Sequence, residues 1–289
     1  MELLTVIKKF NTKVECVKYL EKLKWNNVPE CPYCGDQKSS PKQNRYTCLK
    51  CNRSYSVTVG TMFHSSKVPL PIWFLAISLI LSAKKGISSR QLSRHLSVDK
   101  DTAWFIQKRI RKAMIEKDSV LEGVVEADEC FIGGKKKNRY FKKRQKDPTR
   151  RMTGYSEKIP VLGMFQRSGK IITRVLNHAW GKEIIPIMKN WISAKSTIVT
   201  DGFGGYYYCS EHFQSHQVIN HSKYNHRYDQ YHMNNIEGFW SMFKRSLIGQ
   251  YHKVSNIYLQ DYLNEMAYKF NYRKSTDMGF KTLMHNMLL

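Results

Sequence analysis

The pattern of apolar and polar positions divides the 289-residue chain into four stretches of different character. Residues 1–27 read as a short amphipathic helical entry. Residues 28–66 are rich in loop and strand signals. From 69 to 115 the spacing is helical, with no Gly/Pro-rich break except around Gly86. From about 120 to 275 the period alternates. Strand patterns fall at 123–132, 158–166, 170–177, 196–201 and 216–220, and helical ones at 181–194, 203–212, 235–249 and 256–272. Three strands followed by helix, strand, helix, strand and helix predict an α/β domain rather than a bundle.

Charge changes the picture next. Lys plus Arg number 48 and Asp plus Glu 23, a formal net charge of +25. An excess of that size implies a polyanionic partner, with nucleic acid first and a membrane surface second. The most apolar run, PIWFLAISLILSA, has 13 residues, too few to span a bilayer, and suits a buried helix. The N-terminal stretch has no apolar core or cleavage site of a secretory signal, so the expectation is an intracellular protein with no membrane partner. The segment 135–151, with ten basic residues and one acid, is expected to be a loop between strands that clamps DNA.

Four of the seven cysteines form one pattern: Cys31-Pro-Tyr-Cys34, thirteen residues, then Cys48-Leu-Lys-Cys51. Two CxxC turns present four thiolates, which predicts a structural, tetrahedral Zn²⁺ in a zinc ribbon rather than disulfides. Cys16, Cys130 and Cys209 read as small buried residues. Downstream, Ser88 opens a short helix to Leu96, Ser97-Val98-Asp99 makes a turn, and a second helix runs from Asp101 to Ala113. Trp104, Ile106 and Ile110 are expected to face inward. Lys108, Arg109, Arg111 and Lys112 are expected to face DNA, as in a helix-turn-helix. The alternative is a solvated basic face on an ordinary helical hairpin.

Three acids carry the candidate chemistry. Asp128 ends the strand pattern VVEADECFIGG, Asp201 ends STIVTDGFGG, and Glu237 begins the amphipathic helix NNIEGFWSMFKRSL, with 35 residues between it and Asp201. Singly, each has a structural explanation: a strand-edge acid, a turn acid before glycines, and the N3 position of a capping box begun by Asn234. Glu126 shares a strand face with Asp128, and Glu129 opposes them. Together the three can converge on one site of hard oxygen ligands, which suits Mg²⁺ or Mn²⁺ and in-line phosphoryl displacement. Lys244, two helical turns after Glu237, projects from the same face and, with its neighbour Arg245, would hold phosphate. Phe239, Trp240 and Phe243 give that helix an apolar stripe for packing. His212, His216, His221, His226 and His232 have no metal-ligand spacing; His232, closest to the triad, is a candidate phosphate contact. Tyr206, Tyr207 and Tyr208 read as packing rather than as nucleophiles.

The combination of CPYCG, YTCLKCNRSYSVTVGTMFHSSKVPLPIWF, VEADECFIGG, TDGFGGY and NNIEGFWSMFKRSLIGQYHKVS resembles the ISXO-like insertion-sequence transposases of the DDE superfamily. That resemblance, from about residue 13 to 275, implies a ribonuclease H-like mixed sheet with flanking helices, preceded by a zinc ribbon and a helical domain. The corresponding divisions are 1–27 helical, 28–66 ribbon, 67–118 helix-turn-helix-like, 119–275 catalytic and 276–289 a C-terminal tail. It also implies that Asp128, Asp201 and Glu237 are the metal-binding catalytic triad, with Glu126 the main rival to Asp128. The implied partners are double-stranded DNA, both terminal inverted repeats and target, and further copies of the chain in a synaptic complex, a homodimer or larger. The implied setting is the nucleoid in a bacterial cytoplasm. Strand cleavage and strand transfer are the implied activities. A zinc-ribbon DNA-binding regulator and a metal nuclease without joining activity are the rivals.

Overall fold

The computed structural model describes residues 1–116, 119–133, 158–167, 169–219 and 231–289. The basic segment 135–151, His221 and His226 lie outside them. Two compact units emerge, each assembled from separate stretches of chain. One comprises Met1–Ile115, Ser246–His252 and Asn264–Leu289; the other comprises Glu116–Arg245 and Lys253–Leu263.

In the first unit, helices α1 (Leu3–Lys9) and α2 (Lys13–Trp25) precede a three-stranded antiparallel sheet, β1 (Ser39–Lys42), β2 (Arg45–Cys48) and β3 (Ser54–Tyr55). Thr12 and Glu15 form a capping box at the start of α2. Helices α3 (Leu70–Ser82), α4 (Ser89–Leu96) and α5 (Lys100–Ala113) follow. The apolar run predicted as a buried helix is α3, with Trp73, Phe74 and Ile77 at zero exposure. Ser88 caps α4 through the Gln91 amide at 3.2 Å, and Asp99 caps α5 through the Thr102 amide at 2.7 Å.

The predicted C-terminal tail is instead a helix, Thr276–Leu288. Its Phe280, Leu283, Met284 and Met287 fill the core formed by the other helices of this unit. Apolar residues three to four apart give it a buried face, which a solvated tail would not need. Among the described residues, no helix is long and apolar enough to cross a membrane.

The second unit holds a five-stranded mixed sheet of β4 (Val124–Ile132), β5 (Ile159–Gln166), β6 (Ile171–Val175), β7 (Thr197–Thr200) and β8 (Ser215–Val218). The spatial order is β6-β5-β4-β7-β8; the β4–β5 and β5–β6 pairs are antiparallel, the β4–β7 and β7–β8 pairs parallel. This is the ribonuclease H-like arrangement. Helix α6 (Gly181–Trp191) connects β6 to β7, and a 3₁₀ segment, Gly204–Glu211, connects β7 to β8. Their apolar residues, with Leu162, Met164, Ile172 and Ile198 of the sheet, form one core cluster. Helix α7 (Asn234–Ser246) follows, and helix α8 (Leu259–Asn271) contributes its first turn here and its remainder to the first unit.

Candidate active site

The four cysteine thiols form a closed cluster, their sulfurs all within 4.8 Å of one another. Cys31 and Cys51 stand 3.7 Å apart, and Cys34 and Cys48 stand 3.5 Å apart. A tetrahedron with Zn–S of about 2.3 Å has edges of about 3.8 Å, so the cluster fits zinc. The Cys31 carbonyl accepts the Gly35 amide at 2.9 Å, and the Cys48 carbonyl accepts the Asn52 amide at 3.0 Å; Gly35 and Asn52 both adopt positive φ to close these turns. Backbone N–H groups of Cys51 and Lys50 favour the Cys48 thiolate, whereas at Cys34 the Asp36 backbone bond, which favours the thiolate, is outweighed by burial and hydrogen bonds to Cys48, Cys51 and Cys31, which push the thiol up.

The four cations predicted for DNA on α5 divide by environment. Lys112 is exposed, and Lys108 lies over the Trp104 ring with its Nζ 5.1 Å from the centroid. Arg109 donates to the Met62 carbonyl at 2.6 Å and stacks on Phe105. Arg111 does not face solvent: it is 3 % exposed and donates to the buried Glu265 carboxylate at 2.7 Å. Lys269 and the Tyr251 hydroxyl complete that cluster at 2.6 and 3.0 Å. Burial pushes the Glu265 carboxyl up, but Lys269 and Arg111 outweigh it and hold it at about 2. Trp104, expected inward, is 37 % exposed, because α5 turns Ala103, Ile106, Gln107, Ile110 and Arg111 to the core. The outward stripe is therefore Lys100, Trp104, Lys108 and Lys112, successive positions four apart, with Lys108 half-buried and the other three exposed.

Within the second unit, the sheet explains why the acids meet. Glu126 of β4 pairs with Val199 of the parallel neighbour β7; Asp128 follows two residues later on β4, and Asp201 follows immediately after the end of β7. Across β5, Asp128 lies opposite Gly163. A Cβ at 163 would sit 2.5 Å from Trp240 and 2.7 Å from Ile236, so glycine lets α7 press onto the sheet on the face shared by Asp128. Ile236, Phe239, Trp240 and Phe243 are buried, and Glu237 and Lys244 are exposed.

Burial first, then Asp201 and Glu237, push the Asp128 carboxyl up to about 6, while Lys244 pulls it down. The structure therefore brings Asp128, Asp201, Glu237 and Lys244 into one electrostatic neighbourhood. Lys244 also lies against Cys130. Arg245, the next residue, is exposed, its Nε donating to the Ser241 carbonyl. Among the described residues, the cysteines gather their donor atoms within 4.8 Å and these carboxylates do not. The donors are all hard oxygens, and their mutual repulsion is what a cation relieves.

Two neighbours of Asp128 take roles that the strand pattern does not disclose. Glu126 has zero exposure, and its carboxylate accepts from the Asn235 and Ile236 amides, each at 3.1 Å, and from Asn235 Nδ2 at 2.7 Å. These amides belong to the first turn of α7, so a strand residue caps the helix start. Arg167 approaches Glu126 at 3.4 Å, and His232, the candidate phosphate contact, points its Nδ1 at the same carboxylate from 3.5 Å.

On the opposite face, Glu129 accepts from the buried Tyr206 hydroxyl at 2.8 Å. Burial, then Asp201 and Asp128, push Glu129 up to about 7. Tyr207 and Tyr208 are exposed. Asp201 turns its Oδ1 toward the Phe203 amide at 3.0 Å, and His216 bonds Thr200 at 2.8 Å. Alternation along VVEADEC marks which acids share a face; nothing local to the sequence says that a helix start lies over the first of them.

Residues 11–54 match a transposase zinc-ribbon domain, and residues 120–271 match the ISXO2-like transposase domain. An uncharacterized protein in transposable element ISH50 of Halobacterium salinarum is 26% identical over 295 residues, covering 98% of this chain and 99% of the relative. Among solved structures, the Mos1 strand transfer complex gives a TM-score of 0.33 at 13% identity over 72% of each chain. A pre-cleavage Mos1 transpososome gives 0.29 at 13% identity, over 99% of this chain and 96% of the other. The ISXO2-like domain spans more than half of the chain, and the protein belongs to that transposase family.

Proposed function

We propose that the protein cuts and joins DNA at the ends of an insertion sequence, with Asp128, Asp201 and Glu237 as ion ligands and Lys244 as a phosphate-holding cation. The observation that carries this reading is the shared electrostatic neighbourhood of those four residues, drawn from two adjacent strands and one helix. Bound there, Mg²⁺ or Mn²⁺ would supply activation of the attacking oxygen and neutralisation of charge on the phosphate. The chain supplies the frame for that chemistry. The β4–β7 pairing, ending at Glu126 and Val199 two residues before Asp128 and Asp201, and Gly163, which admits Trp240 and Ile236 of α7 to the sheet, support bringing Glu237 and Lys244 toward the two aspartates.

Water is the nucleophile of the first displacement, which frees a 3′-OH; that hydroxyl is the nucleophile of the second, on target DNA. Each breaks one phosphodiester, so no nucleotide hydrolysis is required. The outward stripe of α5, with half-buried Lys108 and exposed Lys112, and Arg245 on α7 are the basic surfaces proposed to hold DNA backbone. Arg109 would serve there through its position beside the Met62 carbonyl; Arg111 holds Glu265 instead. Double-stranded DNA is the partner, the zinc ribbon and α4–α5 find the element ends, and pairing of two ends calls for at least two copies of the chain. The nucleoid is where such a protein acts.

The test is strand transfer: protein, Mg²⁺, a precut element end and a plasmid. Wild-type protein should yield joined product. Asp128→Asn and Glu237→Gln should reduce it to background while retaining end binding in a mobility-shift assay. Variants that join as well as the wild type would refute the site, and hydrolysis with no joining would make the protein a nuclease.

A further inference from the structure

We propose that Glu126 is a positioning residue for this reaction: its buried carboxylate, in the central strand, caps the helix that carries Glu237 and so fixes where that acid stands. The inference rests on the ion-site reading of Asp128, Asp201 and Glu237 given above. A helix start leaves its first amides without intrahelical partners, and most helices satisfy them with a side chain at their own beginning. In α7 the amides of Asn235 and Ile236 are satisfied by a carboxylate 109 and 110 residues earlier in the chain. With Asn235 Nδ2 at 2.7 Å, the helix start supplies three donors to one fully buried acid, and Arg167 adds a fourth at 3.4 Å. A buried carboxylate without such donors would be strongly unfavourable, and one placed at the positive end of a helix gains further from the peptide dipoles.

The placement says more than that the helix is capped. Glu126 and Asp128 lie two residues apart on the same strand and face, so the strand presenting one candidate ligand also grips the helix presenting another. A serine or aspartate at the helix's own start would satisfy the amides equally well, but would leave α7 free to slide relative to β4. Gly163 acts in the same sense further along, by admitting Trp240 and Ile236 to the sheet. Glu126 touches no reacting group; it acts through Glu237, as partners of ligating residues do when they orient the ligands of a metal.

The experiment is a Mn²⁺ titration, by electron paramagnetic resonance or calorimetry, of full-length zinc-loaded protein. Glu237→Gln first establishes which bound Mn²⁺ reports the acidic site. Glu126→Gln keeps size and shape but turns an N–H group toward Asn235 Nδ2 and should weaken that Mn²⁺ by about 10–100-fold. Circular dichroism and zinc content should stay at wild-type values. The pair Glu126→Gln/Asn235→Asp restores one donor–acceptor match with reversed polarity, and should bind more tightly than either single variant. Glu126→Asp, which retains charge but withdraws it by one methylene, should also weaken binding, and decides the matter if Glu126→Gln does not fold. Wild-type affinity in a folded Glu126 variant would overturn the proposal while leaving the ion site standing. Absence of any Mn²⁺ lost on Glu237→Gln would overturn the ion-site reading, and this proposal with it.

Discussion

At the scale of single residues, position in the sheet sorts chemically equivalent side chains into different tasks. Glu126, Asp128 and Glu129 occupy four consecutive positions with one alanine between them, yet the first is buried under a helix start, the second faces Asp201 and Glu237, and the third takes a tyrosine hydroxyl. The middle acid pays in stability for its location. Its folded-state carboxyl sits at about 6, above the value of 3.8 for a free aspartate, so the folded chain holds more protons than the unfolded chain between those values. Metal-free protein should therefore lose stability as pH rises from about 4 through 6 on account of this group. Asp128→Asn removes that penalty: metal-free protein melted at pH 8 should gain about 2–4 °C, and the gain should vanish near pH 4. A Tm difference independent of pH would contradict the assignment. Arg111 makes the same point about cations, since a residue that looks solvated in a basic run is held instead by Glu265.

Elements are legible in the chain wherever burial and period agree. The strand patterns at 123–132 and 158–166 correspond to Val124–Ile132 and Ile159–Gln166, and the Ser88 and Asp99 caps start their helices as local chemistry requires. Departures occur where a distant partner intervenes. The helix predicted at 203–212 is a 3₁₀ segment, and the start of α7 draws its cap from β4. The seat of α7 depends on Gly163 because both Trp240 and Ile236 occupy the space of a side chain there. Gly163→Ala should cost about 1–3 kcal/mol through overpacking, read as a lower denaturant midpoint. It should also weaken Mn²⁺ at the acidic site, since the helix must lift. Full stability together with unchanged Mn²⁺ affinity would show that α7 does not depend on this glycine.

For the molecule as a whole, the excess of 25 positive charges and the four-cysteine cluster set the terms of interaction. If phosphate contacts dominate DNA binding, raising salt from 50 to 200 mM should lower affinity by about 10³-fold or more, measured by fluorescence anisotropy on end DNA. A flat response would remove the phosphate-clamp role of the α5 stripe and its basic neighbours. Composition, periodicity and motif spacing alone determined the net positive charge, the four clustered cysteines and the order of strands and helices along the chain, and singled out the three acids as candidates. Those signals are local: alternation, caps and CxxC turns are properties of a few adjacent residues. Only the tertiary structure decided which acid caps a helix and which faces the other two, that Arg111 is internal, that Trp104 is exposed, and that the last thirteen helical residues belong to a core. Each of those outcomes depends on partners up to about 150 residues away, which side-chain pattern along one strand or helix does not encode.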